Sequence, residues 1–153
     1  MKKVSIIHNS KFGNSKRIAD KIAESFSGKF SISVNHMKEI NPEDIADNLY
    51  GLIIATRIVS FRANSEIRKY IKKISSIRNE PIPKVAVYYT HGTKWKEHFK
   101  KTMEKTLDKT ENIENVFSES LKVRVKGSKG PIIDGQEQKI NDFINNLEVY
   151  LEN

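Results

Sequence analysis

The chain has 153 residues, no cysteine and one tryptophan, and its 27 Lys and Arg against 19 Asp and Glu leave a formal charge of +8. That length suits a single domain with a real core. The missing thiols exclude disulfides, thiolate catalysis and Cys-ligated zinc or iron–sulfur centres, so any redox chemistry must come from a bound cofactor. No apolar run approaches the roughly 18 residues of a membrane span, and the N-terminus enters a strand directly, which makes the cytoplasm the expected location.

Along the chain, apolar runs of strand length alternate with amphipathic runs of helix length. Lys3 to His8 reads as a first strand, and Ser15 to Phe26 as a helix with Ile18, Ile22, Ala23 and Phe26 at helical spacing, ended by Gly28. Phe30, Ile32 and Val34 alternate as a second strand, after which Asn41-Pro42-Glu43-Asp44 opens a short helix through Ile45, Ala46 and Leu49. Gly51-Leu52-Ile53-Ile54-Ala55 is apolar without alternation, the pattern of a central strand covered on both faces. A loop is expected from Thr56 to Ala63, followed by a helix striped by Ile67, Tyr70, Ile71, Ile74 and Ile77 and closed off by Pro81 and Pro83. Lys84 to Thr90 is the predicted fourth strand and Trp95 to Leu107 the fourth helix. The fifth strand falls within Val116 to Val125, with an irregular extension, and Gly127-Ser128-Lys129-Gly130-Pro131 reads as a surface loop. Gln136 to Leu151 forms the last helix, with Ile140, Phe143, Ile144, Leu147 and Leu151 on one face. Strict alternation of this kind predicts one α/β domain over 1–153, a doubly wound parallel sheet with helices on both faces.

Between the first strand and first helix, Ser10-Lys11-Phe12-Gly13-Asn14-Ser15 makes a turn suited to a phosphate. The helix presents unpaired N–H groups and the positive end of its dipole there; Ser10, Asn14 and Ser15 add side-chain donors, and Gly13 lets backbone approach an anion. The dinucleotide fingerprint and the NTPase loop both fit poorly, for want of further glycines and of a Gly-Lys-Ser/Thr ending. The segment resembles instead the FMN-phosphate loop of the flavodoxins, with Ile6, Ile7, Ser10, Gly13, Ala19 and Ile22 in place. It departs at His8, where an aromatic is usual, and at Ser15, which replaces a threonine and keeps the hydroxyl. The resemblance implies a flavodoxin-like five-stranded sheet of order 2-1-3-4-5, with FMN at the carboxyl ends of strands one and three. It further implies that Ser10, Lys11, Phe12, Gly13, Asn14 and Ser15 hold the phosphate. Thr56, Phe61, Gly92 and Trp95 then border the ring, with Arg57 and His91 in the same two loops among the cofactor-binding residues.

Other chemistries lack their residues. A phosphoacceptor receiver needs carboxylates after strands one and three, where this chain has His8-Asn9 and Ala55-Thr56. The four histidines show no metal-ligand spacing, and His91 and His98 read as solvent-facing polar residues. No nucleophile elbow is present. The excess of lysine comes interspersed with acids and without a recognition motif, which argues against nucleic acid as a partner. Three readings stay open: an electron carrier docking to redox partner proteins, acidic docking surfaces among them; an FMN-dependent oxidoreductase acting on a small anionic, quinone or porphyrinogen-like substrate, whose carboxylates a basic rim of Lys11, Arg57, Arg62, Lys94 and Lys96 could receive; and a cofactor-free binding module. The first is the expectation.

Overall fold

A computed structural model describes residues 1–153. Its elements are β1 (Lys3–His8), α1 (Asn14–Phe26), β2 (Ser31–His36), α2 (Pro42–Ala46), β3 (Leu49–Val59), β4 (Arg62–Ala63), α3 (Ser65–Ile77), β5 (Lys84–His91), a 3-10 turn (Glu97–Lys100), α4 (Lys101–Lys109), β6 (Leu121–Arg124) and α5 (Glu137–Glu152). The sheet runs β2-β1-β3-β5-β6, all neighbours parallel, with the two-residue β4 antiparallel to the end of β3. Counting the parallel strands alone, this is the order 2-1-3-4-5 that the resemblance implies.

Pleating sends neighbouring residues of the central strands into two separate cores. Val4, Ile6, Ile53, Ala55, Ala86 and Tyr88 pack beneath α1 and α5, against Ile18, Ile22, Phe26, Phe143 and Leu147. Ile7, Leu52, Ile54, Val85, Val87 and Tyr89 pack on the other face, against Ile45, Ile67, Ile71, Ile74 and Met103 of α2, α3 and α4. Burial on both faces is what the unbroken apolar run of β3 requires. No helix is long and apolar enough to cross a membrane.

Several boundaries differ from the sequence expectation. β3 continues to Val59, turns at Ser60-Phe61 and returns as β4, so the predicted loop from Thr56 to Ala63 is a β-hairpin. Leu49 starts β3 instead of ending α2. The fourth helix begins with a 3-10 turn and becomes α-helical only at Lys101. Val116 makes one isolated bridge to Val85, and regular pairing of the fifth parallel strand waits for Leu121 opposite Tyr88.

Candidate functional site

The strand order reverses at β1, which has β2 on one side and β3 on the other, and the backbone beyond their carboxyl ends is left free to form a crevice. Asn9 ties the two ends together: its Oδ1 accepts from the Arg57 N–H at 3.1 Å. A cavity of about 420 Å³ opens there, and four loops line it.

The first wall is the turn into α1. Gly13 sits at φ 91°, a left-handed conformation that favours glycine, and its N–H donates to Ser10 Oγ at 3.0 Å. α1 has neither a side-chain cap nor an acidic residue in its first turn. α3 shows the contrast: Asn64 Oδ1 accepts from the N–H groups of Glu66 and Ile67, and Glu66 adds a negative charge. Every other helical segment also carries an acid in its first turn. The donors and dipole of α1 are therefore uncompensated by the protein. Ser10, Phe12, Asn14 and Ser15 line the cavity. Ser15 is almost fully buried, its hydroxyl 3.3 Å from that of Thr90, and the Tyr88 hydroxyl donates to the Ser15 carbonyl at 2.7 Å. The first turn of α1 is thus braced from β5.

The second wall is the β3–β4 hairpin, which contributes Arg57, Ile58, Val59, Ser60 and Phe61. Ser60 and Phe61 occupy φ 52° and 66°, so two residues with side chains hold a turn that normally favours Asn-Gly. Phe61 is 63% exposed, with one side against Phe99 at a ring-centroid distance of 6.0 Å. The Arg57 guanidinium lies 5.4 Å and the Lys11 ammonium 5.5 Å from the centre of the Phe12 ring.

The third wall is the end of β5, with Thr90, His91, Gly92 and Thr93. His91 is buried, which corrects the expectation of a solvent-facing side chain: β5 runs one residue further than predicted and carries the ring inside. Its Nδ1 lies 2.6 Å from the Thr93 carbonyl, an acceptor, so Nδ1 bears the hydrogen. Burial lowers its pKa although the Thr93 bond opposes this, leaving the neutral ring with a free Nε2 lone pair above the lowered value. The fourth wall is Val125, read from sequence as the end of the fifth strand, with Gly127 and Ser128 from the stretch read as a surface loop. Its signal was two glycines and a serine among lysines, placed after a strand at the same sheet edge.

The twelve nominated residues fall into two groups. Ser10, Phe12, Asn14, Ser15, Arg57, Phe61, His91 and Gly92 line the cavity. Lys11 and Gly13 belong to the same turn without lining it. Thr56 is fully buried, its hydroxyl donating to the Arg57 carbonyl and accepting from the Asn64 N–H, so it anchors the hairpin base. Trp95 lies behind the wall, 5.1 Å from His91, 5.5 Å from Tyr89 and 5.4 Å from Phe99 between ring centres, with its indole N–H on Glu97. No carboxylate lines the cavity.

Nothing among protein-family models or curated proteins matches this sequence. Solved structures do resemble it. A flavodoxin from the domain Archaea superposes with TM-score 0.74 at 12% identity, over 99% of each chain. The oxidised Flavodoxin 1 from Bacillus cereus gives 0.70 at 20% identity, over 94% of this chain and 95% of that one. The flavodoxin of Streptococcus pneumonia TIGR4 gives 0.71 at 17%, over 97% and 99%. Identities this low speak to the fold alone, and the chain has the flavodoxin-like fold.

Proposed function

We propose that the protein binds FMN at the β1/β3 crevice and serves as an electron carrier. The observation that carries this reading is the uncapped, acid-free N-terminus of α1 opening into a cavity that has an exposed aromatic, Phe61, on another wall. In this reading the phosphate is held by Ser10, Lys11, Phe12, Gly13, Asn14 and Ser15, largely through N–H groups, a donor set whose chemistry suits a dianion. Phe61, His91 and Gly92 border the ring, His91 as a neutral hydrogen-bond acceptor; Arg57 sets the local charge, and Thr56 and Trp95 support the two ring-side loops. When bound, the flavin supplies one- and two-electron transfer. The chain's own residues bind and orient it and shield one side from water.

The carrier reading is favoured over a small-substrate oxidoreductase by the mouth itself. Phe12, Val59 and Phe61 are all exposed beside Lys11, Arg57 and Arg62, an apolar patch with a basic rim of the kind that docks a protein with an acidic surface. The test is titration of apo-protein with FMN, followed by quenching of flavin fluorescence. Saturable 1:1 quenching, with FMN released on denaturation, is the expected result; no saturable quenching overturns the proposal.

A further inference from the structure

The chain does not leave the sheet at Arg124. Val125 donates its N–H to the His91 carbonyl at 2.9 Å and forms an antiparallel bridge with Ile132. The Lys126 N–H donates to the Pro131 carbonyl at 2.8 Å and that of Ile133 to Arg124 at 3.1 Å, while the Gly130 N–H returns to the Lys126 carbonyl at 2.9 Å. The result is a closed hairpin from Arg124 to Ile133, with Gly127-Ser128-Lys129 at its tip.

Two seats hold that tip over the cavity. At Gly92 the backbones approach so closely that a β-carbon would fall on the Gly127 carbonyl, so only glycine fits. At Asn14, the first residue of α1, the side-chain amide donates to the Lys129 carbonyl at 3.1 Å, and Gly130 packs directly on that amide. β6 is the sheet edge, so the hairpin reaches past the end of β5 to the turn that follows β1. Gly127 and Ser128 line the cavity shared with Ser10, Asn14 and Ser15, and their backbone N–H groups donate to no protein acceptor.

We propose that the Val125–Ile132 hairpin is a second half of the phosphate site, in which Gly127 and Ser128 supply donors facing the α1 turn and Asn14 and Gly92 fix their position. This inference rests on the FMN reading and adds to it: a phosphomonoester is gripped from two sides, with Lys126 and Lys129 raising the local positive potential and no acid among the tip residues. Asn14 acts as a positioning residue, because its amide is committed to the Lys129 carbonyl.

The test compares wild type, Ser128→Ala, Ser128→Asp, Asn14→Ala and Gly92→Ala by FMN titration, with amide hydrogen exchange of the apo-proteins as an independent readout of the tip and of Gly13 to Ser15. Ser128 is exposed, so its variants keep the fold whether or not Gly92→Ala does. Ser128→Ala keeps the backbone N–H and should leave FMN affinity within about threefold of wild type, whereas Ser128→Asp should lose at least about tenfold, where a carboxylate meets the phosphate. Asn14→Ala should weaken binding and speed exchange at both the tip and the α1 turn. Equal, small effects of Ser128→Ala and Ser128→Asp overturn the two-sided grip, as do unchanged affinity and exchange in Asn14→Ala. Wild type failing to bind FMN overturns both this inference and the function it rests on, whereas wild type binding FMN with the variants unchanged overturns the hairpin's part alone.

Discussion

Ser10 has two tasks in the α1 turn. Its oxygen accepts from Gly13, which holds the turn, and its hydroxyl hydrogen remains for a ligand. Because the Gly13 N–H is exposed and can turn to water, Ser10→Ala should change stability by less than about 0.5 kcal/mol. FMN affinity should fall roughly tenfold or more, as expected for a lost hydrogen bond to a charged group worth about 1.5–3 kcal/mol. Thermal unfolding of the apo-protein beside FMN titration separates the two. His8 sits just upstream, buried, with its Nδ1 accepting the Ser10 N–H at 3.1 Å and its ring 5.2 Å from that of His36. Burial first, and His36 second, push its pKa down to about 4 from an ordinary 6.5. The folded protein therefore keeps His8 neutral while the unfolded chain takes up a proton, so stability falls as pH drops from about 6.5 to about 4 and this contribution levels off below. The slope is at most about 1.4 kcal/mol per pH unit. Urea unfolding across that window should show the slope in wild type and a shallower one in His8→Phe, where buried His91, its pKa also lowered, still contributes.

At the scale of elements, the β3–β4 hairpin is built against local preference. Left-handed backbone costs a residue with a β-carbon about 1–2 kcal/mol, and the hairpin has two in succession, one of them Phe61. Replacing Ser60-Phe61 by Asn-Gly should raise stability by about 1–2 kcal/mol, measured by urea unfolding, and should lower FMN affinity through loss of the aromatic wall. A variant that is stabilised with no loss of affinity would remove Phe61 from the site. The helix starts make a second comparison. Asn64→Ala removes the cap of α3 and should cost about 1 kcal/mol. α1 has no such cap, so its start should be stabilised by added phosphate or FMN, seen as slower amide exchange at residues 14 to 16.

For the molecule as a whole, charge and shape act together. Part of the net charge of +8 lies at the mouth, where Lys11, Arg57 and Arg62 stand beside exposed Phe12, Val59 and Phe61 and no acid lines the cavity. Association with an acidic redox protein should therefore slow steeply as ionic strength passes about 0.1 M, where the screening length is about 10 Å. Stopped-flow reduction at increasing salt measures this, and Arg57→Gln with Arg62→Gln should flatten the dependence. A rate indifferent to salt would assign the excess lysine to composition instead of docking.

The sequence by itself determined the two-core sheet and the glycine turn that opens α1, because both are written in short-range patterns: the unbroken apolar run of β3, the helical spacing of Ile18, Ile22 and Phe26, and the glycine and hydroxyls between Ser10 and Ser15. Tertiary structure alone decided which residues meet. Asn14 finds Lys129 across 115 positions and Ser15 finds Thr90 across 75, and no local pattern encodes such pairs. One extra residue of pairing at the end of β5 buried His91. The 3-10 start of the fourth helix goes with a Trp95 packed behind the cavity wall, on Tyr89 and Phe99. A strand's end and a hairpin's reach are fixed by what the neighbouring chain offers for hydrogen bonding and packing, and that is settled only when the sheet has closed.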